Sequence, residues 1–249
     1  MYPLVGMALR LIFRGTWRAA AVGCLASAWL LLPAQQQPVT SRDRMDETWW
    51  KDRHEHCLRM TKYGHSDVVF LGDSITQGWE DTGEQIWDSE IAPYRASNFG
   101  FSGDRTDHVL WRLQNGEIFG MKPKVVVVMI GTNNLTFGEN PEQTAAGVRT
   151  VVQRLQEGLP TSKILLLGIF PRGEKPDDAY RQRVAQTNEL LKGSADGKGV
   201  VYSDISSAFI SSDGTLATTL FPDGLHPSED GYRIWAHTIE PELNALLKR

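Results

Sequence analysis

Ser74 follows Gly72 and Asp73 where a short apolar run, 67–71 (DVVFL), gives way to ITQGW, a stretch able to open a helical turn. A serine at a strand-to-helix turn stands above the sheet edge, and the helix N-terminus beside it favours developing negative charge. Serine oxygen is a weak nucleophile at neutral pH and needs a base in hydrogen-bond reach, itself oriented by a third group. Of the six histidines, at 54, 56, 65, 108, 226 and 237, His226 stands out because Asp223-Gly224-Leu225-His226-Pro227 is a polar loop just before the last helical stretch. Asp223 can accept from one ring nitrogen while the other faces Ser74, and such a trio performs acyl transfer. Taken alone, Gly-Asp-Ser also reads as an ordinary turn, and Asp-x-x-His as a cap on the next helix.

Two further segments leave apolar runs in the same manner. Asn98-Phe99-Gly100-Phe101-Ser102-Gly103-Asp104 places glycines where backbone N–H groups can approach a ligand closely. Ile130-Gly131-Thr132-Asn133-Asn134 delivers a side-chain amide from the most apolar run in the chain. Ser74 N–H, Gly103 N–H and the Asn133 amide together can hold an oxyanion, though each segment by itself is also plain turn chemistry.

These residues need a scaffold that brings 74, 103, 133, 223 and 226 together. Strands are expected at 67–71, 95–99, 124–130, 163–169 and 200–205; the runs at 124 and 163 are continuously apolar, as suits parallel strands buried on both faces. Between them, Asn140-Pro141 reads as an N-cap with Pro at N1, followed by Ala145, Val148, Val152 and Leu155 at helical spacing. A second helix is expected over 178–192, and a last one capped by Ser228 that restarts at Pro241. Residues 45–62 read as an amphipathic helix. Its His54 and His56 are two apart, which turns their rings about 200° from each other and opposes a shared metal, so a solvated face is expected there. Strands separated by helices of this length imply right-handed crossovers and a parallel sheet covered on both faces, with ligands beyond the strands' carboxyl ends.

Read together, GDSITQGW, NFGFSGD, GTNN and DGLH, in this order from Gly72 to His226, resemble the four blocks of the GDSL or SGNH hydrolases. The longer segments NFGFSGDRTDHVLWRLQNGE, KPKVVVVMIGTNN and LGIFPRGEKP are similar to the branch of the platelet-activating-factor acetylhydrolase Ib alpha subunits and their bacterial relatives. The resemblance implies a flavodoxin-like three-layer αβα sandwich with a five-stranded parallel sheet. It implies Ser74 as nucleophile, His226 as base and Asp223 as its partner, with Ser74, Gly103 and Asn133 as the oxyanion hole. Ile75, Thr132 and Leu225 would crowd the acyl site and favour acetyl. No metal or organic cofactor is implied, and homodimerisation is suggested by analogy alone. Much of the wider family has Asp where this chain has Asn134, a departure shared with the acetylhydrolase branch that weakens a lysophospholipase or thioesterase assignment. A catalytically silent binding domain would require a lost catalytic residue, and none is missing.

Composition agrees with a packed α/β domain, at 41% hydrophobic and 22% charged residues. A net charge of -4 without a basic stripe argues against a nucleic-acid partner. Residues 1–34 place Arg10, Arg14 and Arg18 before an uncharged run over 19–32 and end in Pro33-Ala34, the order of an export signal cleaved after Ala34; read together with the apolar stretch 3–13, the same segment is an N-terminal anchor. Residues 35–44 (QQQPVTSRDR) read as a linker and 45–249 as the hydrolase domain. Cleavage would remove Cys24 and leave Cys57 without an intramolecular partner. Export points to an extracytoplasmic acetylated carbohydrate or similar small ester, with Trp79, Trp87 and Trp111 as core aromatics or sugar-stacking faces. The charged loop Arg172-Gly173-Glu174-Lys175 borders the site or is a solvated turn.

Overall fold

The computed structural model describes residues 40–248; the expected leader over 1–34, with Cys24, and linker residues 35–39 lie outside them. In chain order the principal elements are α1 (Thr48–Tyr63), β1 (Val68–Gly72), α2 (Ser74–Gln77), α3 (Glu84–Ile86), β2 (Ala96–Gly100), α4 (Thr106–Gln114), β3 (Val125–Met129), α5 (Thr132–Thr136), α6 (Pro141–Gly158), β4 (Lys163–Leu167), α7 (Ala179–Lys192), β5 (Val200–Ser203) and α8 (Glu229–Leu247). The five strands form one parallel sheet in the order β2-β1-β3-β4-β5. All five expected strands are present, with ends moved by one or two residues. Arg95 is left out of β2 because it takes a left-handed conformation at φ 53°.

Successive side chains of a strand point to opposite faces, so a strand covered on both sides has no polar position to spare. Val69 and Leu71 of β1, Val126 and Val128 of β3, and Ile164 and Leu166 of β4 pack on one face with residues of α1, α4 and α6. Val68 and Phe70, Val125, Val127 and Met129, and Leu165 and Leu167 pack on the other with Ile75, Trp79, Ile86 and α8. This gives the three-layer α/β arrangement.

The Asn140 cap is present: its side chain accepts from Gln143 N–H at 2.8 Å, and Gln143 Oε1 accepts in return from Asn140 N–H. Asp178 caps α7 by accepting from Tyr180 N–H. Helix α8 does not restart at Pro241 but runs through it. Proline removes one helical hydrogen bond, and the burial of Ile239, Leu243 and Leu246 on both sides of it carries the helix on. Helix α4 has no counterpart in the sequence expectation.

Two expectations about α1 change. His54 is buried, donating or accepting at 2.6 Å with Glu117 and lying against Trp50 and Trp111, while His56 is exposed. The opposed rings that rule out a shared metal also send one of them into the core. Residues 42 and 44, read as linker, are bound to the domain: Arg42 N–H donates to the Asp107 carbonyl and Arg44 reaches Asp104. Cys57 is free and fully buried, and burial pushes its thiol well above the ordinary range. No helix among the described residues is long and apolar enough to cross a membrane.

Trp79 and Trp235 are fully buried and stack around Phe70 and Tyr232, with Trp87 at the edge of the same cluster. Trp79 is thus core, and Trp87 and Trp111 are half-buried against the two cores. Tyr232 Oη donates to the Ile75 carbonyl at 2.7 Å, joining α8 to the turn that carries Ser74. Tyr232→Phe would leave that buried carbonyl without its partner, and a urea titration should show a loss of about 1–3 kcal/mol of stability.

Candidate active site

In the order β2-β1-β3, the chain leaves β1 to one side for β2 and then returns to the other side for β3. Crevices of open parallel sheets form beyond the carboxyl ends at such a reversal, and Ser74 sits there as the first residue of α2. The turn is tight: a Cβ on Gly72 would collide with the Thr76 hydroxyl and the Met129 carbonyl of the neighbouring strand. Asp73 closes the turn, its side chain accepting from Ile75 N–H at 3.0 Å. A carboxylate used this way reinforces the helix N-terminus.

The half-buried Ser74 Oγ lies 2.9 Å from His226 Nε2, and His226 Nδ1 lies 2.6 Å from Asp223 Oδ2. The other Asp223 oxygen accepts from the backbone N–H groups of Leu225, at 2.9 Å, and His226, at 2.7 Å. Partial burial pushes the Asp223 carboxyl up, but the His226 ring and these N–H groups outweigh it and hold the carboxyl at about 2. An ionised carboxylate can only accept, so the proton belongs on Nδ1 and the Nε2 lone pair faces the serine hydroxyl. The other histidines are otherwise placed. His54 pairs with Glu117, His108 Nδ1 accepts from Arg105 N–H at 3.1 Å, and His237 faces Glu90 on the outside of α8.

Gly103 and Asn133 follow β2 and β3, the two neighbours of β1, at the same sheet edge. Gly103 has φ +74°, a conformation that L side chains rarely adopt, and its N–H has no acceptor among the described residues. Asn133 Nδ2 donates to the Asp104 carbonyl at 2.9 Å. An amide nitrogen carries two hydrogens, so one remains for a ligand. The structure therefore brings Ser74, His226 and Asp223 into one hydrogen-bonded chain, with Gly103 and Asn133 following the two strands that flank β1.

The expected acyl-site residues differ in surroundings. Ile75 and Thr132 are buried at 1% and 2% exposure, Ile75 within the core under α8, and Leu225 is half-buried against that same core. The Thr132 hydroxyl is buried with no hydrogen-bond partner among the described residues. Asn134 is a structural joint: it accepts from Thr106 N–H and donates to the Thr106 hydroxyl and to Glu139. An aspartate here would face the Glu139 carboxylate with no proton to offer. The Arg172–Lys175 loop borders the site, since Gly173 N–H donates to the Gly224 carbonyl and Arg172 to the Thr136 hydroxyl. Among the described residues no cluster of His, Cys, Asp or Glu is placed to hold a metal.

Residues missed from the sequence lie beneath Gly103. Asp104, Arg112 and Glu117 are completely buried; Asp104 accepts from Arg112 Nε at 2.8 Å and Trp50 Nε1 at 2.8 Å, and Arg112 Nη1 reaches Glu117 at 2.7 Å. The signal was available: Arg112 shares a helical face with Val109 and Leu113, and a charge on an apolar stripe asks for a buried partner.

A profile of the GDSL-like lipase/acylhydrolase family matches residues 70–234. The alpha2 subunit of platelet-activating factor acetylhydrolase IB from Rattus norvegicus is 39% identical over 196 residues, covering 78% of this chain and 83% of the relative. Among solved structures, a GDSL-like lipase from Bacteroides thetaiotaomicron superposes with a TM-score of 0.60 at 21% identity, covering 72% of this chain and 87% of that one. Axe2, an acetylxylan esterase from Geobacillus stearothermophilus, gives 0.58 at 23% identity, covering 73% and 95%.

Two carboxyls of the site, Asp73 next to Ser74 and Asp223 behind His226, are shifted in opposite directions. Burial, with the negative charge of Asp104 adding to it against the Ile75 N–H, raises Asp73 to about 7. A raised carboxyl binds its proton more tightly folded than unfolded, so its contribution to stability is full below about pH 4 and is lost as pH rises toward 7. The Asp223 contribution has the opposite sense, present above about pH 4 and lost as pH falls through 2. Asp73→Asn keeps an oxygen for Ile75 N–H, and urea midpoints at pH 4.5 and 7.5 should differ less in this variant than in the wild type.

Proposed function

This chain belongs to the GDSL-like lipase/acylhydrolase family and is a carboxylic ester hydrolase; from that premise we propose that Ser74, His226 and Asp223 form its catalytic triad and that its substrates are short-acyl, above all acetyl, esters. The observation that carries this reading is the unbroken chain from Ser74 Oγ through His226 to Asp223, at 2.9 and 2.6 Å.

Ser74 Oγ attacks the ester carbonyl carbon as His226 Nε2 takes the hydroxyl proton, and the carbonyl pair moves onto oxygen. Asp223 keeps the ring oriented and offsets its transient charge. Ser74 N–H, Gly103 N–H and the free Asn133 N–H receive the oxyanion. Collapse expels the alcohol with the proton from His226. Water, deprotonated by the same nitrogen, then releases the acid and restores Ser74.

Ile75, Thr132 and Leu225 neighbour the reacting residues in the chain, and on this reading the half-buried Leu225, backed by the buried Ile75 and Thr132, keeps the acyl site short. The names of two relatives, an acetylhydrolase and an acetylxylan esterase, support the same acyl size. The basic and apolar leader supports an extracytoplasmic setting, where an acetylated carbohydrate or similar small ester is the substrate class.

The reading is tested with p-nitrophenyl acetate, butyrate and octanoate. Turnover should fall with chain length, disappear in Ser74→Ala, and drop on the order of 10²-fold in kcat in Asn133→Ala. Equal rates in wild type and Ser74→Ala would overturn the nucleophile assignment; faster octanoate turnover would overturn the acyl assignment.

A further inference from the structure

The carbonyl that orients Asn133 belongs to a residue whose side chain is locked from three directions. Asp104 Oδ1 accepts from Trp50 Nε1 at 2.8 Å and Arg44 Nη1 at 3.1 Å, and Oδ2 accepts from Arg112 Nε at 2.8 Å. Arg112 lies against the Phe101 ring at 3.8 Å and donates to the Phe99 carbonyl at the end of β2. Arg44 also donates to the Ser102 carbonyl at 2.7 Å, the residue before Gly103. Behind Arg112, Glu117 and His54 complete the buried network.

These contacts define both termini of the Phe101–Asp104 turn, whose Asp104 N–H donates to the Phe101 carbonyl at 3.1 Å. Gly103 lies inside that turn, and the Asp104 carbonyl at its end receives Asn133 Nδ2. Building a fully buried carboxylate and guanidinium costs more than an apolar filling would, so their presence does not follow from stability. A fixed donor array, by contrast, gains from rigidity, because donors that need not reorganise stabilise a transition state best.

We infer that Asp104, held by Arg112, Trp50 and Arg44, is a positioning residue that sets two oxyanion donors at once: Gly103 through the turn and Asn133 through its own carbonyl. The inference rests on the oxyanion reading of the preceding section. It assigns an enzymatic role to the ionic core under the loop and not only a packing role.

The test is a pair of double-mutant cycles on p-nitrophenyl acetate. Asp104→Asn retains the backbone carbonyl but sets an amide against Arg112. Trp50→Phe removes one donor to Asp104 while keeping an aromatic ring, and serves if Asp104→Asn does not fold, as judged by circular dichroism and thermal melting. Each should lower kcat, by about 10-fold for Asp104→Asn, with KM little changed, because the donors act on the transition state. In an Asn133→Ala background the same substitutions should cost less, about 3-fold for Asp104→Asn, since one of the two donors they position is already absent and only Gly103 remains. Equal losses in both backgrounds, or losses confined to KM, would overturn the positioning role. Inactivity of Ser74→Ala together with a large Asn133→Ala defect would keep the esterase reading standing in that case, whereas activity in Ser74→Ala would remove the premise itself.

Discussion

A sheet whose strands all run one way can be closed only by crossovers, and crossovers place every carboxyl end on one edge. That constraint governs the rest of this protein. The segments after β1, β2 and β3 have nowhere else to emerge, and the strand order β2-β1-β3 puts the segment carrying Ser74 between the other two. The fourth contributor, the Asp223–His226 loop, arrives from the far side of the sheet. It is delivered by α8, whose Tyr232 is hydrogen-bonded to the Ile75 carbonyl and whose Trp235 packs in the aromatic cluster with Trp79. A contact between residues 152 positions apart, Ser74 and His226, is thus a consequence of how one helix closes one face.

The edge is also where the protein departs from apolar packing. The central strands beneath it are almost wholly Val, Leu, Ile, Phe and Met, and the polar residues gather at their carboxyl ends. Asp73 is buried beside Ser74 and holds its proton toward neutrality, while the half-exposed Asp223 is ionised far below it. The two carboxyls are separated by surroundings, not by type: one meets a single N–H and the charge of Asp104, the other an imidazole and two backbone donors. Only the second is paired with an imidazole.

Underneath, Asp104, Arg112 and Glu117 show why burying charge here differs from burying it at random. Each group has its partners in place, from side chains on α1 and α4 and from the carbonyl ends of the strands. The result joins α1, which carries no proposed reacting group, to the loop that carries Gly103. Arg44 extends that connection into the segment before α1. The N-terminal part of the domain is therefore support for the site.

How far the sequence alone reaches can be judged residue by residue. The five strands, the Asn140 and Ser228 caps, and the meeting of Ser74 with the Asp223–His226 loop were legible, because apolar runs, capping chemistry and strand-end turns are local patterns. The end of α8 was misread at Pro241, since a proline's local cost is overridden by apolar residues buried beyond it. His54 reads as solvated but is buried, and the pairing of Asp104 with Arg112 and Trp50 has no signature of its own in the sequence. A charged or polar side chain looks alike in sequence whether it faces water or a partner, and its partner lies tens of residues away. What the sequence by itself determined is the set of elements and the candidate reacting groups at their ends. Which polar residues are buried, how closely His226 meets Ser74, and what holds Asn133 in place were decided only in the tertiary structure, because those depend on distances between segments that the chain order does not contain.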